Sequence, residues 1–69
     1  MTRQVRVNGD PVPVAATTIA ALLAEQGIDR TARGVAVAVN GGVVRRTEWD
    51  ETPVRDGDDI EIVRPFRGG

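Results

Sequence analysis

The residues in this chain best placed to do chemistry are its last two, Gly68 and Gly69. A main-chain carboxylate on Gly69 stands at the tip of a tail with no Cβ in its final two residues, so it can enter a channel too narrow for any side chain. The expected reactive group is therefore the carboxylate of Gly69, with Gly68 giving clearance. A carboxylate at neutral pH is a poor electrophile, being anionic and bound to expel an oxide, so this chemistry needs prior activation. A frayed end carrying two glycines is the plain alternative, and what decides between them is whether the rest of the chain builds a globule that presents the tail.

Other chemistries are closed by composition. The 69 residues contain no cysteine and no histidine, which removes thiolate nucleophiles, disulfides, histidine-dependent triads and the usual zinc ligands. All nine basic residues are arginine, so a second copy finds no side-chain amine on which to form an isopeptide chain. Net charge is -1 and the pI about 5.2, which gives no basic field for nucleic acid or an anionic membrane. Arg3 and Arg6 interrupt the N-terminal hydrophobics, so neither a signal peptide nor a membrane span is read there, and the expectation is a cytoplasmic protein, monomeric when free. Asn40-Gly41-Gly42 lacks the lysine and helix of a phosphate loop, so any ATP is handled by another protein. Asp56-Gly57-Asp58-Asp59 lacks the spacing of a calcium loop and reads as a charged turn. No metal or cofactor site is expected.

The elements that must present the tail follow from periodicity. Val5 and Val7 alternate with Gln4 and Arg6 in a half-buried strand, and Asn8-Gly9-Asp10 is a hairpin turn. The return strand over residues 11–14 must be an edge, since Pro11 and Pro13 cannot donate to a ladder. Ile19, Leu22, Leu23 and Gln26 form a helical stripe, with Thr17 or Thr18 as N-cap, Gly27 as the left-handed stop and Ile28 folding back onto Leu23. Val35, Val37 and Val39 alternate with Ala36 and Ala38 in a strand, Asn40-Gly41-Gly42 turns it, and Val43-Val44 pairs back. Residues 45–53 are irregular, with Thr47 as cap for a single helical turn and Trp49 covering one end of the core. Ile60 and Ile62 alternate with Glu61 and Val63 in a last strand, and Pro65 ends its pairing.

This order predicts an α+β fold, a sheet wrapped around one helix, over residues 1–64, with residues 65–69 as a tail. The expected core is Val5, Val7, Ile19, Leu22, Leu23, Ile28, Val37, Val39, Ile60 and Ile62. Ala36, Ala38 and Val63 should lie on the sheet face away from the helix, a small apolar patch beside Arg6, Arg64 and Arg67 that an activating enzyme could cover.

Taken together, Val37-Ala38-Val39-Asn40-Gly41, Val43-Val44-Arg45-Arg46, Trp49, Asp56-Gly57-Asp58, Ile60-Glu61-Ile62-Val63 and Gly68-Gly69 resemble the sulfur carrier proteins of thiamine biosynthesis, the ThiS family. The resemblance covers nearly the whole chain. Two departures stand out: Arg45 occupies a place where many relatives have proline, and Pro65-Phe66 is similar to the small subunits of molybdopterin synthases. The resemblance implies a ubiquitin-like β-grasp fold and a carrier that is not itself an enzyme. It implies that an ATP-dependent, ThiF-like adenylyltransferase activates Gly69, that sulfur arrives from cysteine through a desulfurase, and that a ThiG-like thiazole synthase receives it from a thiocarboxylate. Read from the sheet face and the approach to the tail, the expected partner contacts are Arg6, Ala36, Ala38, Val63, Arg64, Phe66 and Arg67. A molybdopterin synthase small subunit, another sulfur carrier or a ubiquitin-like modifier are the alternatives.

Overall fold

The computed structural model describes residues 2–64. Five strands, β1 (Arg3–Val7), β2 (Asp10–Val14), β3 (Ala36–Val39), β4 (Gly42–Val44) and β5 (Asp59–Val63), form one sheet in the order β2-β1-β5-β3-β4. β1 and β5 run parallel, and the other neighbours are antiparallel. The strand closest to the tail is thus the middle one, flanked by a hairpin on each side. Both hairpins turn on an Asn-Gly pair with positive φ at each residue, 52° and 86° at Asn8-Gly9 and 51° and 86° at Asn40-Gly41. Positive φ at both central positions is the two-residue turn whose twist matches that of the flanking strands.

The helix α1 (Ile19–Glu25) follows β2 and contributes Ile19, Leu22 and Leu23 to the core. At its N-terminus the N–H groups of the first three helical residues, which no helical turn can satisfy, are each accounted for. Ile19 donates to Thr52 C=O at 2.9 Å, Ala20 to Trp49 C=O at 3.0 Å, and Ala21 to Thr18 Oγ1 at 3.2 Å. Of the two candidate caps, Thr18 is the one used. At the other end Gly27, at φ 71°, donates to Ala24 C=O and Ile28 to Leu23 C=O, the paired bonds of a Schellman stop. Thr18→Ala is expected to cost about 1 kcal/mol, as N-cap truncations do, lowering the urea midpoint at unchanged slope. An unmoved midpoint would show that the bonds to Thr52 and Trp49 hold the helix start alone.

The core comprises Val5, Val7, Val14, Ala16, Ile19, Leu22, Leu23, Val35, Val37, Trp49, Val54, Ile60 and Ile62. Ile28 and Val39, expected inside, are only partly buried and pack against its margin. Ile28 lies beyond the left-handed Gly27, where the chain has already turned off the helix axis. Trp49 does more than cover one end: it is 1% exposed, among the largest fully buried side chains, and its ring N–H donates to Val44 C=O at 3.1 Å. Thr47 caps nothing, because it lies within the 3-10 turn Arg46–Glu48, whose N-cap position is Arg45 with no side-chain bond.

Arginines close over the tryptophan. The Arg46 guanidinium sits 4.8 Å from the ring centroid and donates to the carbonyls of Arg30 and Ala32, tying down the loop before β3. Arg30 lies 6.0 Å from the same ring and holds Asp50 in a bidentate pair at 2.7 and 2.8 Å. Those bonds hold the Asp50 carboxyl below its ordinary value and raise the guanidinium. A depressed carboxyl stabilises the fold above its unfolded pKa and ceases to as pH falls through the folded one, so only strong acid weakens this exposed and energetically minor pair.

Candidate reactive tail and docking face

β5 is the strand that leads in sequence toward Gly68-Gly69, and the structure shows how β5 itself is held. The sheet face opposite the helix carries the odd positions of β5, Asp59, Glu61 and Val63, all exposed. Ile60 and Ile62 point into the core, so burial fixes which way every β5 residue faces. Ala36 lies directly opposite Val63, and Ala38 opposite Glu61 on one side and Val43 on the other. Val63 and Val43 are the exposed large hydrophobics of the described residues, at 58% and 81%. They share with Ala36 and Ala38 the outer sheet face, a low apolar patch across β4, β3 and the C-terminal end of β5. Val43 was not among the expected patch residues, although its parity with Ala38 across the hairpin carries the signal.

Two of the expected arginines stand apart from that patch. Arg6 pairs in register with Asp59, the opposite end of β5, four residues or about 13 Å from Val63. There it borders a shallow cleft of about 320 Å³ lined also by Gln4, Pro11, Asp56 and Gly57. Arg64 turns its guanidinium to the Gln26 carbonyl at the end of the helix, 3.3 Å away. Phe66, Arg67, Gly68 and Gly69 lie outside the described residues.

The asparagines of the hairpin turns do more than turn the chain. The Asn8 carboxamide bonds to β5 at Ile62, Oδ1 accepting from the N–H at 2.8 Å and Nδ2 donating to the C=O at 3.1 Å. Asn40 does the like at the start of β5, where its Oδ1 accepts from Asp59 N–H at 2.9 Å and its Nδ2 donates to Asp58 Oδ1 at 3.1 Å. The two hairpins therefore grip β5 at opposite ends, one from each side. From sequence both residues read as turn formers, and nothing in the spacing of Asn-Gly betrays the second role.

Among the described residues every fully buried side chain is apolar, no group of three or more acidic side chains is placed to hold a metal, and no helix is long and apolar enough to cross a membrane.

The ThiS family model matches residues 5–69, the body and the tail together. The chain belongs to the ThiS family. A sulfur carrier protein ThiS from a strain of Thermus thermophilus is 37% identical to this ThiS-family chain over 63 residues, 91% of its length and 95% of that protein's. A crystal structure of the thiamine biosynthesis protein ThiS from Geobacter metallireducens superposes with a TM-score of 0.77 at 33% identity, across 96% of this chain and 99% of that one. An NMR solution structure of a thiamine biosynthesis protein from the same organism gives the same TM-score and identity over 96% of this chain and 87% of that one. The mixed five-stranded sheet with one helix is the β-grasp fold of these ThiS neighbours.

Proposed function

We propose that this protein carries sulfur for thiazole formation in thiamine biosynthesis, with the Gly69 carboxylate as the group that is activated and sulfurated. The observation that carries this reading is the family match running through Gly68-Gly69, on a body whose central strand leads toward that end. In the proposed cycle an ATP-dependent adenylyltransferase joins the carboxylate to AMP, which makes the acyl carbon electrophilic. A persulfide sulfur derived from cysteine through a desulfurase then displaces AMP to give an acyl disulfide, and a thiol cleaves its S–S bond, being itself oxidised to a disulfide, to leave a thiocarboxylate that a thiazole synthase consumes. The nucleotide is bound by the partner, in the cytoplasm, and the carrier contributes recognition and reach.

Reach is set by chain length. From Pro65 to Gly69 five residues extend at most about 17 Å, enough to enter a channel from a docked body and too short to bridge two distant enzymes. The carrier thus undocks from one enzyme before meeting the next. The patch of Ala36, Ala38, Val43 and Val63 is the proposed apolar contact; Arg6 and Arg64, which stand apart from it, and Phe66 and Arg67 are proposed as further partner contacts. Rim charges act mainly on encounter, so Arg6→Glu or Arg67→Glu is expected to raise the adenylation KM for the carrier several-fold at unchanged kcat. An unaltered KM in both would leave this face as solvated sheet.

Intact mass decides the chemistry. Co-expression with a candidate adenylyltransferase and desulfurase is expected to shift the protein by the replacement of one oxygen by sulfur, a shift abolished by deleting Gly69. No shift with such partners would overturn the assignment, and the acceptor that takes the sulfur distinguishes thiazole synthesis from a molybdopterin route.

A further inference from the structure

We propose that Asn8 is a positioning residue for the reactive end, fixing through its side chain the point at which the main chain leaves the sheet. The proposal rests on the sulfur-carrier reading above and adds to it a residue far from Gly69 in sequence.

β1 ends at Val7, opposite Ile60, while its partner β5 runs on to Val63. The parallel ladder between them advances from Arg6 N–H bonding Asp58 C=O at 2.9 Å to Asn8 N–H bonding Ile60 C=O at 2.8 Å. The next rung calls for a main-chain carbonyl to receive the Ile62 N–H, but at Asn8, with φ 52°, the main chain has turned into the hairpin. The carboxamide takes over, accepting from Ile62 N–H and donating to Ile62 C=O, as a further strand residue of β1 would. On the other side of β5, Ala36 pairs with Val63 and Val37 with Ile62. The last residues of the central strand are therefore held on one side by β3 and on the other by a single side chain. The left-handed turn does not demand this carboxamide, because glycine adopts positive φ with less strain.

The consequence concerns docking. Six residues separate Ile62 from Gly69, and any residue freed at the root of the tail must be ordered again whenever the tip enters a channel. Such ordering costs binding, and freeing one residue corresponds to a loss of about tenfold in affinity.

The fold supplies its own control. Asn40 occupies the same kind of turn, with φ 51°, and makes the same number of side-chain bonds to the β5 segment, at its other end. Asn8→Gly and Asn40→Gly each keep the turn and remove two bonds, so a general loss of stability affects both. Adenylation kinetics with a ThiF-type adenylyltransferase, followed by pyrophosphate release, are expected to show a carrier KM about tenfold higher for N8G, with kcat unchanged and N40G like the wild type. Amide exchange is expected to quicken at Ile62 in N8G and at Asp59 in N40G. Equal KM values for the two variants, or a wild-type KM in N8G despite a deprotected Ile62 amide, overturns the assignment of Asn8 alone. Should N8G not fold, Asn8→Asp, which keeps the acceptor and loses the donor, is measured in the same way, and a wild-type KM again overturns it. A wild-type carrier that is never adenylated overturns the carrier reading and this assignment together.

Discussion

Trp49→Ala is expected to leave a large fraction of the chain unfolded at 25 °C. The ring is 1% exposed and among the largest fully buried side chains of a core of thirteen residues. Truncating a buried aromatic of this size costs about 3–5 kcal/mol, against a total of ~5–15 kcal/mol for ordinary domains, with small ones at the low end. Further losses compound the cavity. The Val44 carbonyl loses the indole N–H, and Arg46, whose guanidinium lies 4.8 Å from the ring, loses the surface that orients it toward the loop before β3. Urea denaturation followed by circular dichroism measures the effect, and a loss below about 1 kcal/mol, the level of an ordinary surface change, would show that the core closes over the gap. Trp49→Phe keeps most of the apolar volume and deletes the N–H; its expected cost, about 1–3 kcal/mol for a carbonyl left without its donor and the volume difference, separates packing from hydrogen bonding.

The second large effect lies in function and spares the fold. Gly68→Ala is expected to slow adenylation by about a hundredfold, the scale on which a displacement of roughly 1 Å at a reacting group acts. In the proposed cycle Gly68 passes through the narrowest part of a partner's channel, and a methyl group there holds the Gly69 carboxylate short of the nucleotide. The core and the five-stranded sheet described above are built from residues 2–64, so thermal and urea midpoints are expected to match the wild type. Single-turnover acyl-adenylate formation with saturating partner enzyme measures the step directly. A wild-type rate would remove the clearance role from Gly68 and leave Gly69 as the only residue the tail contributes to chemistry.

Much of this fold is legible in alternation and turn chemistry. Val5, Val7, Ile60 and Ile62 announce their faces by period two, and Ile19, Leu22 and Leu23 by the helical stripe ending at Gly27. What escaped reading shares a physical cause. Val14 sits at the end of a strand carrying two prolines and Val54 in an irregular stretch, so neither belongs to a periodic run long enough to assign a face; Val35 shares the alternation of Val37 but lies just before its strand. Their burial is decided by tertiary packing, above all by how residues 49–54 bond to the helix start. For the candidate site, the glycines and the apolar outer positions of β3 and β5 could be named from sequence. The hold of Asn8 on Ile62 could not, because it spans 54 positions and depends on which strand lies beside β1. The side chain of Arg64, directed at the Gln26 carbonyl, was likewise beyond reach of spacing arguments.

The place of β5 in the sheet also bears on when the protein can fold during its own synthesis. Residues 59–63 are the last strand made and the one between the two hairpins, joining Arg6 to a partner 53 positions later. Such a closure pays its loop entropy late, and until those residues leave the ribosome the hairpins have no shared neighbour and the helix no continuous sheet to cover. A chain interrupted before residue 59 lacks the strand with which both hairpins pair and is expected to be open to proteolysis.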